Sequence, residues 1–154
     1  MNLKADSFKQ YLAEKDITYF RVEEIKNEIV EDNNAQTNKN NGRVTFHTYV
    51  KVFGQKLPAV VVIDDSIYTV VRVQVIPDVS FIKNKDEFVR CVNEMNITYK
   101  AIKYYLGMDD ALYLDMYIPG SKNELDGDLV IELLSAINSH LEQEYPNWMK
   151  LLWS

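Results

Sequence analysis

Three places in this sequence set carboxylates close enough together to hold a cation or to share acid–base work: Asp64–Asp65, Asp109–Asp110 and Asp126–Gly127–Asp128. The first two fall where the hydrophobic pattern calls for hairpin turns, and Asp is favoured there because its side chain bonds its own backbone two residues on. The third resembles a fragment of a calcium loop, but the other ligand positions and the closing Glu are absent, and helix capping accounts for it. The two histidines, His47 and His140, stand in separate elements with no neighbouring His or Cys. His47 is expected on the outer face of a strand and His140 on the flank of the last helix. Ser66 and Ser80 lack the setting of a nucleophile elbow. Cys91, the single cysteine, excludes an intrachain disulfide and falls on an apolar helix face, where it packs as a small core residue. None of the five glycines stands in a phosphate-cradling arrangement. The expectation is a chain that is not an enzyme and uses no cofactor and no metal.

What the sequence holds in excess is aromatic side chains, with ten tyrosines and two tryptophans. Several tyrosines fall on the strand faces opposite the apolar ones. Tyr104 and Tyr105 point to the two sides of one strand, and Tyr113 and Tyr117 occupy the second face of its partner. Trp148 and Trp153 belong to a closing segment too apolar to dangle free. Tyr and Trp bury large area at small entropic cost and are enriched at interfaces. Tyr104, Tyr113, Tyr117, Trp148 and Trp153 are therefore the candidate partner or dimer interface.

Charge and hydropathy narrow the partners. A net charge of −6 and a pI near 4.9 argue against binding nucleic acid through its phosphates. No run approaches the roughly 20 apolar residues of a membrane helix. The first residues turn polar at once, without a secretory signal, so a cytoplasmic location is expected.

The elements that must position these residues follow from periodicity. A short amphipathic helix over 5–15 places Phe8, Tyr11 and Leu12 on one face. A strand follows over 18–25, with Phe20 and Val22 on one side; residues 28–32 either continue it or begin another. The Asn-rich stretch 33–42 ends in Asn41–Gly42, a turn signal, and is expected to be a mobile hairpin tip. In 43–53, Val44, Phe46, Val50 and Val52 alternate with Thr45, His47, Tyr49 and Lys51. After a turn at 54–56, the strand 57–63 is apolar on both faces, which predicts a central position with both faces covered. A strand over 67–76 ends at Pro77. Helix two, 85–95, is capped by Asn84 with Glu87 three residues on, and buries Phe88, Val89, Val92 and Met95. Strands over 98–106 and 111–118 make a hairpin, and the longest helix spans 127–144 before Tyr145–Pro146 interrupts it and a last turn follows at 147–153. The result is one α+β domain over 1–154: an antiparallel sheet of five or six strands with N-terminal, middle and C-terminal helices in the order α-β-β-β-α-β-β-α.

Asn96, the hairpin over 98–118, the exit Ile118–Pro119–Gly120, the amphipathic helix and the ending Glu142–Gln143–Glu144–Tyr145–Pro146–Asn147–Trp148 resemble the YbjN family of small bacterial proteins. The resemblance covers about 85–153, with the first strands matching by order alone. It implies the fold of type III secretion chaperones and a non-enzymatic, protein-binding or regulatory role, often as a homodimer, with no catalytic residues to transfer. The expected partners are thus a second copy of the chain and another protein, with no nucleic acid and no membrane. The alternatives are an immunity protein that neutralises a toxin, or a small-molecule-binding domain.

Overall fold

The structure, a computed structural model, describes residues 2–24 and 42–153. Its elements are α1 (Leu3–Glu14), β1 (Arg21–Glu24), β2 (Val44–Val52), β3 (Gln55–Ile63), β4 (Tyr68–Ile76), α2 (Lys85–Thr98), β5 (Lys103–Leu106), β6 (Leu112–Pro119) and α3 (Gly127–Leu152). Residues 28–32, and all of 33–42 except Gly42, lie outside the described residues. The six strands form one antiparallel sheet in the order β1-β2-β3-β4-β6-β5. This is the predicted α+β architecture. The chain meanders through β1 to β4, crosses by α2 to the far edge at β5, and returns so that β6 pairs with β4.

Local chemistry fixes the joints. Phe53 and Gly54 both take positive φ, 49° and 76°, making a two-residue turn of the kind whose twist matches the flanking strands. Gln55 therefore already pairs with Val52, and β3 begins before the predicted start at Leu57. Each helix begins on a side-chain cap. Asn2 accepts from the Ala5 amide at 3.0 Å, Asn84 from Glu87 at 3.1 Å and Asp126 from Leu129 at 3.2 Å.

All three helices pack on one face of the sheet. Phe8 of α1 meets Phe46 of β2 edge to face at 4.8 Å. Trp148 of α3 lies 5.3 Å from Phe88 of α2 and 5.1 Å from Tyr104 of β5. Val50, Val61, Val73 and Leu114 fill the layer between.

Several bounds differ from expectation for physical reasons. β1 starts at Arg21 rather than 18, and α2 runs through Thr98, so β5 begins only at Lys103. Thr98 stays helical by donating its hydroxyl to the Glu94 carbonyl at 2.9 Å. Val89 is exposed; the buried stripe of α2 is Phe88 and Val92, flanked by half-buried Cys91 and Met95. Most clearly, α3 does not stop at Tyr145–Pro146 but continues through Pro146 to Leu152. The ring's missing donor is a local loss, whereas Tyr145, Trp148 and Leu152 are each buried and hold the helix on its line.

β3 sits inside the sheet as predicted. Among the described residues no element lies over its second face, where Pro58 is exposed, Val60 half-buried and Val62 buried within the sheet's own side chains and those beside it.

Candidate functional site

The uncovered face is built by strand parity. Paired residues share a face, so the registers place Arg21, His47, Val60, Arg72, Asp115 and Lys103 in one row across all six strands. The neighbouring row runs Glu23, Thr45, Val62, Val70 and Tyr117. On the other side lie Tyr49 opposite Pro58, and Gln74 opposite Tyr113, itself opposite Tyr105. The centre of this face is aliphatic and its β5–β6 end is aromatic and charged.

Asp115 organises that end. It is fully buried although no helix covers it. Arg72 grips it with two parallel bonds, Nε to Oδ1 and Nη2 to Oδ2, both 2.9 Å. The Tyr105 hydroxyl donates to the carboxylate at 3.2 Å and that of Tyr117 at 3.2 Å. Lys103 stands over the rings of Tyr105 and Tyr117, 5.1 and 5.7 Å from their centroids, and the Arg72 guanidinium is 5.8 Å from Tyr105. Tyr105 stacks on Tyr113 at 5.6 Å, and Tyr113 donates to Asp109 in the adjoining turn. Burial, and then the charge of Asp115, push the Tyr105 phenol up to about 12. The bond to Asp115 raises Arg72 above its ordinary value against the pull of burial. The tyrosines are thus fixed and presented. Fixed rings lose little rotamer freedom on binding, which makes this a prepared contact surface.

Two asparagines from the helices cap backbone groups at the margins of the sheet. At β5, Asn96 of α2 bonds both outward groups of Tyr104, donating to its carbonyl at 3.0 Å and accepting from its amide at 2.7 Å. At the other side β1 pairs only with Val44–His47, so the rest of β2 has no strand partner there among the described residues. Asn138 of α3 caps it, donating to the Lys51 carbonyl at 2.6 Å. Such caps take those groups out of the template for strand addition. Beside Asn138 a cavity of about 490 Å³ opens between β2, Tyr19 and α3.

The five residues singled out from sequence do not converge. Tyr113 and Tyr117 lie on the uncovered face, half-buried and exposed respectively. Tyr104 and Trp148 lie inside, each 1% exposed, and leave the candidate surface. Trp153 is exposed at the end of α3 and packs at a tilt against Phe81 at 5.6 Å, away from the tyrosines in sequence and element. His140 is not a free flank residue: its Nε2 meets the Tyr104 hydroxyl at 2.7 Å, and Tyr99 packs edge-on against its ring at 4.5 Å. Burial lowers its pKa, with Glu144 opposing. Tyr99 donates to Glu144 at 2.5 Å, and the indole nitrogen of Trp148 has no partner in bonding geometry. This cluster ties α3 to β5 and lies mostly in the core.

The paired carboxylates make turns and caps, as expected. Asp64 accepts from the Ser66 amide at 2.9 Å, Asp109 from the Ala111 amide at 3.2 Å, and Asp128 from the Tyr11 hydroxyl at 2.7 Å. Cys91 is half-buried and its thiol is pushed up by burial and then by Glu94. Among the described residues no group of three or more His, Cys, Asp and Glu side chains is placed to hold a metal ion, and no helix is long and apolar enough to cross a membrane. Sequence reasoning missed Arg72 and Asp115. Their signal was a charge of each sign in the middle of a strand otherwise rich in aliphatic residues. No protein-family model matches the chain, and no curated protein matches its sequence.

Proposed function

We propose that this chain is a protein-binding domain that works through the uncovered face of its sheet. The observation that carries the reading is the lattice of Tyr105, Tyr113 and Tyr117 around Arg72–Asp115, set beside the half-buried aliphatic Val60 and Val70. Large rings held in place beside apolar area are what binding hot spots are made of. Asn96 and Asn138 cap backbone groups of β5 and of the unpaired part of β2, which favours the face over strand addition at those places as the docking mode. A toxin-neutralising role is the special case in which the bound polypeptide is one toxin. The test is affinity capture of the tagged chain from its native cell, with the Tyr113→Ala, Tyr117→Ala double variant in parallel. A stoichiometric polypeptide held by the unaltered chain and lost by the variant is expected. Recovery of the chain alone in both cases sinks the reading.

Self-association is the second reading, and it rests on a different place. Phe81 and Trp153 are exposed and packed on one another at the end of α3. Sedimentation equilibrium of the chain and of Trp153→Ser separates a dimer that uses this pair from a monomer.

A further inference from the structure

The charge on the uncovered face is opposite to that of the whole chain. Among the described residues the strands of this face carry five cations, Arg21, Lys51, Lys56, Arg72 and Lys103, against two carboxylates, Glu23 and Asp115, with a third, Asp109, reaching it from the adjoining turn. The chain as a whole has a net charge of −6. All three are already engaged, Asp115 by Arg72, Glu23 by His47 at 3.0 Å and by Arg21 at 3.8 Å, and Asp109 by the Tyr113 hydroxyl. Lys51, Lys56 and Lys103 have no carboxylate within ion-pair distance among the described residues; aromatic rings stand beside Lys56 and Lys103 instead. Lys51 and Lys56 are also direct cross-strand partners, and like charges placed opposite each other disfavour the sheet. An anion docked between them relieves that repulsion.

We infer that the occupant of this face is an acidic polypeptide segment with apolar residues among its carboxylates; the inference rests on the protein-binding reading above. The aliphatic centre takes the apolar residues, and the lysines at both ends take the carboxylates. A second copy presenting the same face would set cation against cation. A phosphate backbone also suits the lysines, but the half-buried Val60 and Val70 match apolar side chains rather than bases, and Tyr105 and Tyr113 are stacked on each other. Six strands spaced about 4.8 Å apart make a face about 24 Å across, which an extended segment of about seven residues spans.

The experiment is selection of a displayed library of random peptides of about that length on the intact chain. Lys56→Glu and Lys103→Glu serve as face variants and Lys150→Glu as an off-face control, each checked for folding by circular dichroism. Enriched peptides rich in Asp and Glu with interspersed apolar residues are expected. Their affinity should fall about tenfold or more for either face variant and stay unchanged for the control. It should also fall as ionic strength rises from about 0.15 M to about 1 M, where the Debye length shrinks from about 8 Å to about 3 Å. Enriched peptides without acidic excess that still depend on Tyr113 and Tyr117 overturn the acidic inference and leave the protein-binding reading standing. Peptides indifferent to every face residue, or none enriched at all, overturn both. Tighter, face-dependent binding of oligouridylate than of any peptide also overturns it.

Discussion

Asp115 shows how much one side chain can set at a sheet surface. A carboxylate with no exposure is tolerable only because Arg72 and two phenols satisfy it, and those same partners thereby become fixed. Asp115→Asn keeps the shape and removes the charge, leaving Arg72 without its counter-ion. The expected loss is about 2–4 kcal/mol, toward the low end for a broken buried pair because the Arg72 side chain is 31% exposed. Urea denaturation of the variant reads this directly; a loss below about 0.5 kcal/mol would mean the pair behaves as a surface ion pair. Strand parity alone put Tyr113 and Tyr117 on the face opposite the apolar one, and Tyr104 and Tyr105 on different sides of their strand. The same parity could not say which side the helices cover, so Tyr104 looked as available as Tyr113. Nor could it pair Arg72 with Asp115, which stand 43 residues apart and meet only through the β4–β6 register.

At the scale of elements, the two asparagines and Pro146 carry the argument. Asn96 and Asn138 each come from a helix and each engage the backbone of a strand at the sheet's margin. Asn96→Ala leaves the Tyr104 amide and carbonyl without side-chain partners, with an expected cost of about 1–3 kcal/mol. Asn138→Ala alone should cost less, since it frees one carbonyl. The double variant should associate edge to edge on mild heating, read as light scattering with a rise in β signal, while the unaltered chain stays clear. Equal behaviour of the two would show that something other than these side chains guards the edges. Pro146 is the converse case, a residue whose local preference lost. A proline inside a helix costs about 3 kcal/mol, and its sequence signal for a break is strong. Buried Trp148 and Leu152 overrode it, and that burial depends on contacts with α2 and β5 that no window around Pro146 contains. Pro146→Ala should therefore stabilise the chain by about 1–3 kcal/mol without changing its far-ultraviolet spectrum. Destabilisation instead would mean that the proline's bend is needed to seat Trp148. The end of α2 was hidden for a related reason, because Thr98 has a strand-like side chain yet bonds back to Glu94.

For the whole molecule, the titrating groups bound stability from both sides of neutrality. Tyr11, Tyr99, Tyr104, Tyr105, Tyr113 and Tyr145 all have raised pKa values, Tyr11 and Tyr105 to about 12. Tyr11, Tyr99 and Tyr113 owe this first to a bond with a carboxylate, and Tyr104, Tyr105 and Tyr145 first to burial. A phenol whose folded pKa exceeds its unfolded value of 10 keeps its proton longer in the fold, so its stabilisation is complete below pH 10 and is lost as pH rises toward 12. Lys4 runs the other way. Its ammonium is buried against the Ser66 carbonyl at 2.8 Å, and burial lowers its pKa below 10.5. Deprotonation thus favours the fold between that lowered value and 10.5, a single gain against the losses from six phenols and from the raised Cys91 thiol. On the acid side His140, packed among Tyr99, Tyr104 and Glu144, has a pKa below 6.5, so the stability it contributes is present above pH 6.5 and falls away as pH drops through its folded value. Urea midpoints measured across pH should therefore fall steeply from pH 10 upward, and the phenolate absorbance near 295 nm should lag behind that of the denatured chain over the same interval. His140→Gln, which can still accept from Tyr104 but does not titrate, should flatten the His140 contribution to the acid limb and leave the alkaline limb unchanged. If the alkaline limb flattens as well, the His140–Tyr104 bond rather than the separate phenols controls both, and α3 and β5 unlock as one unit.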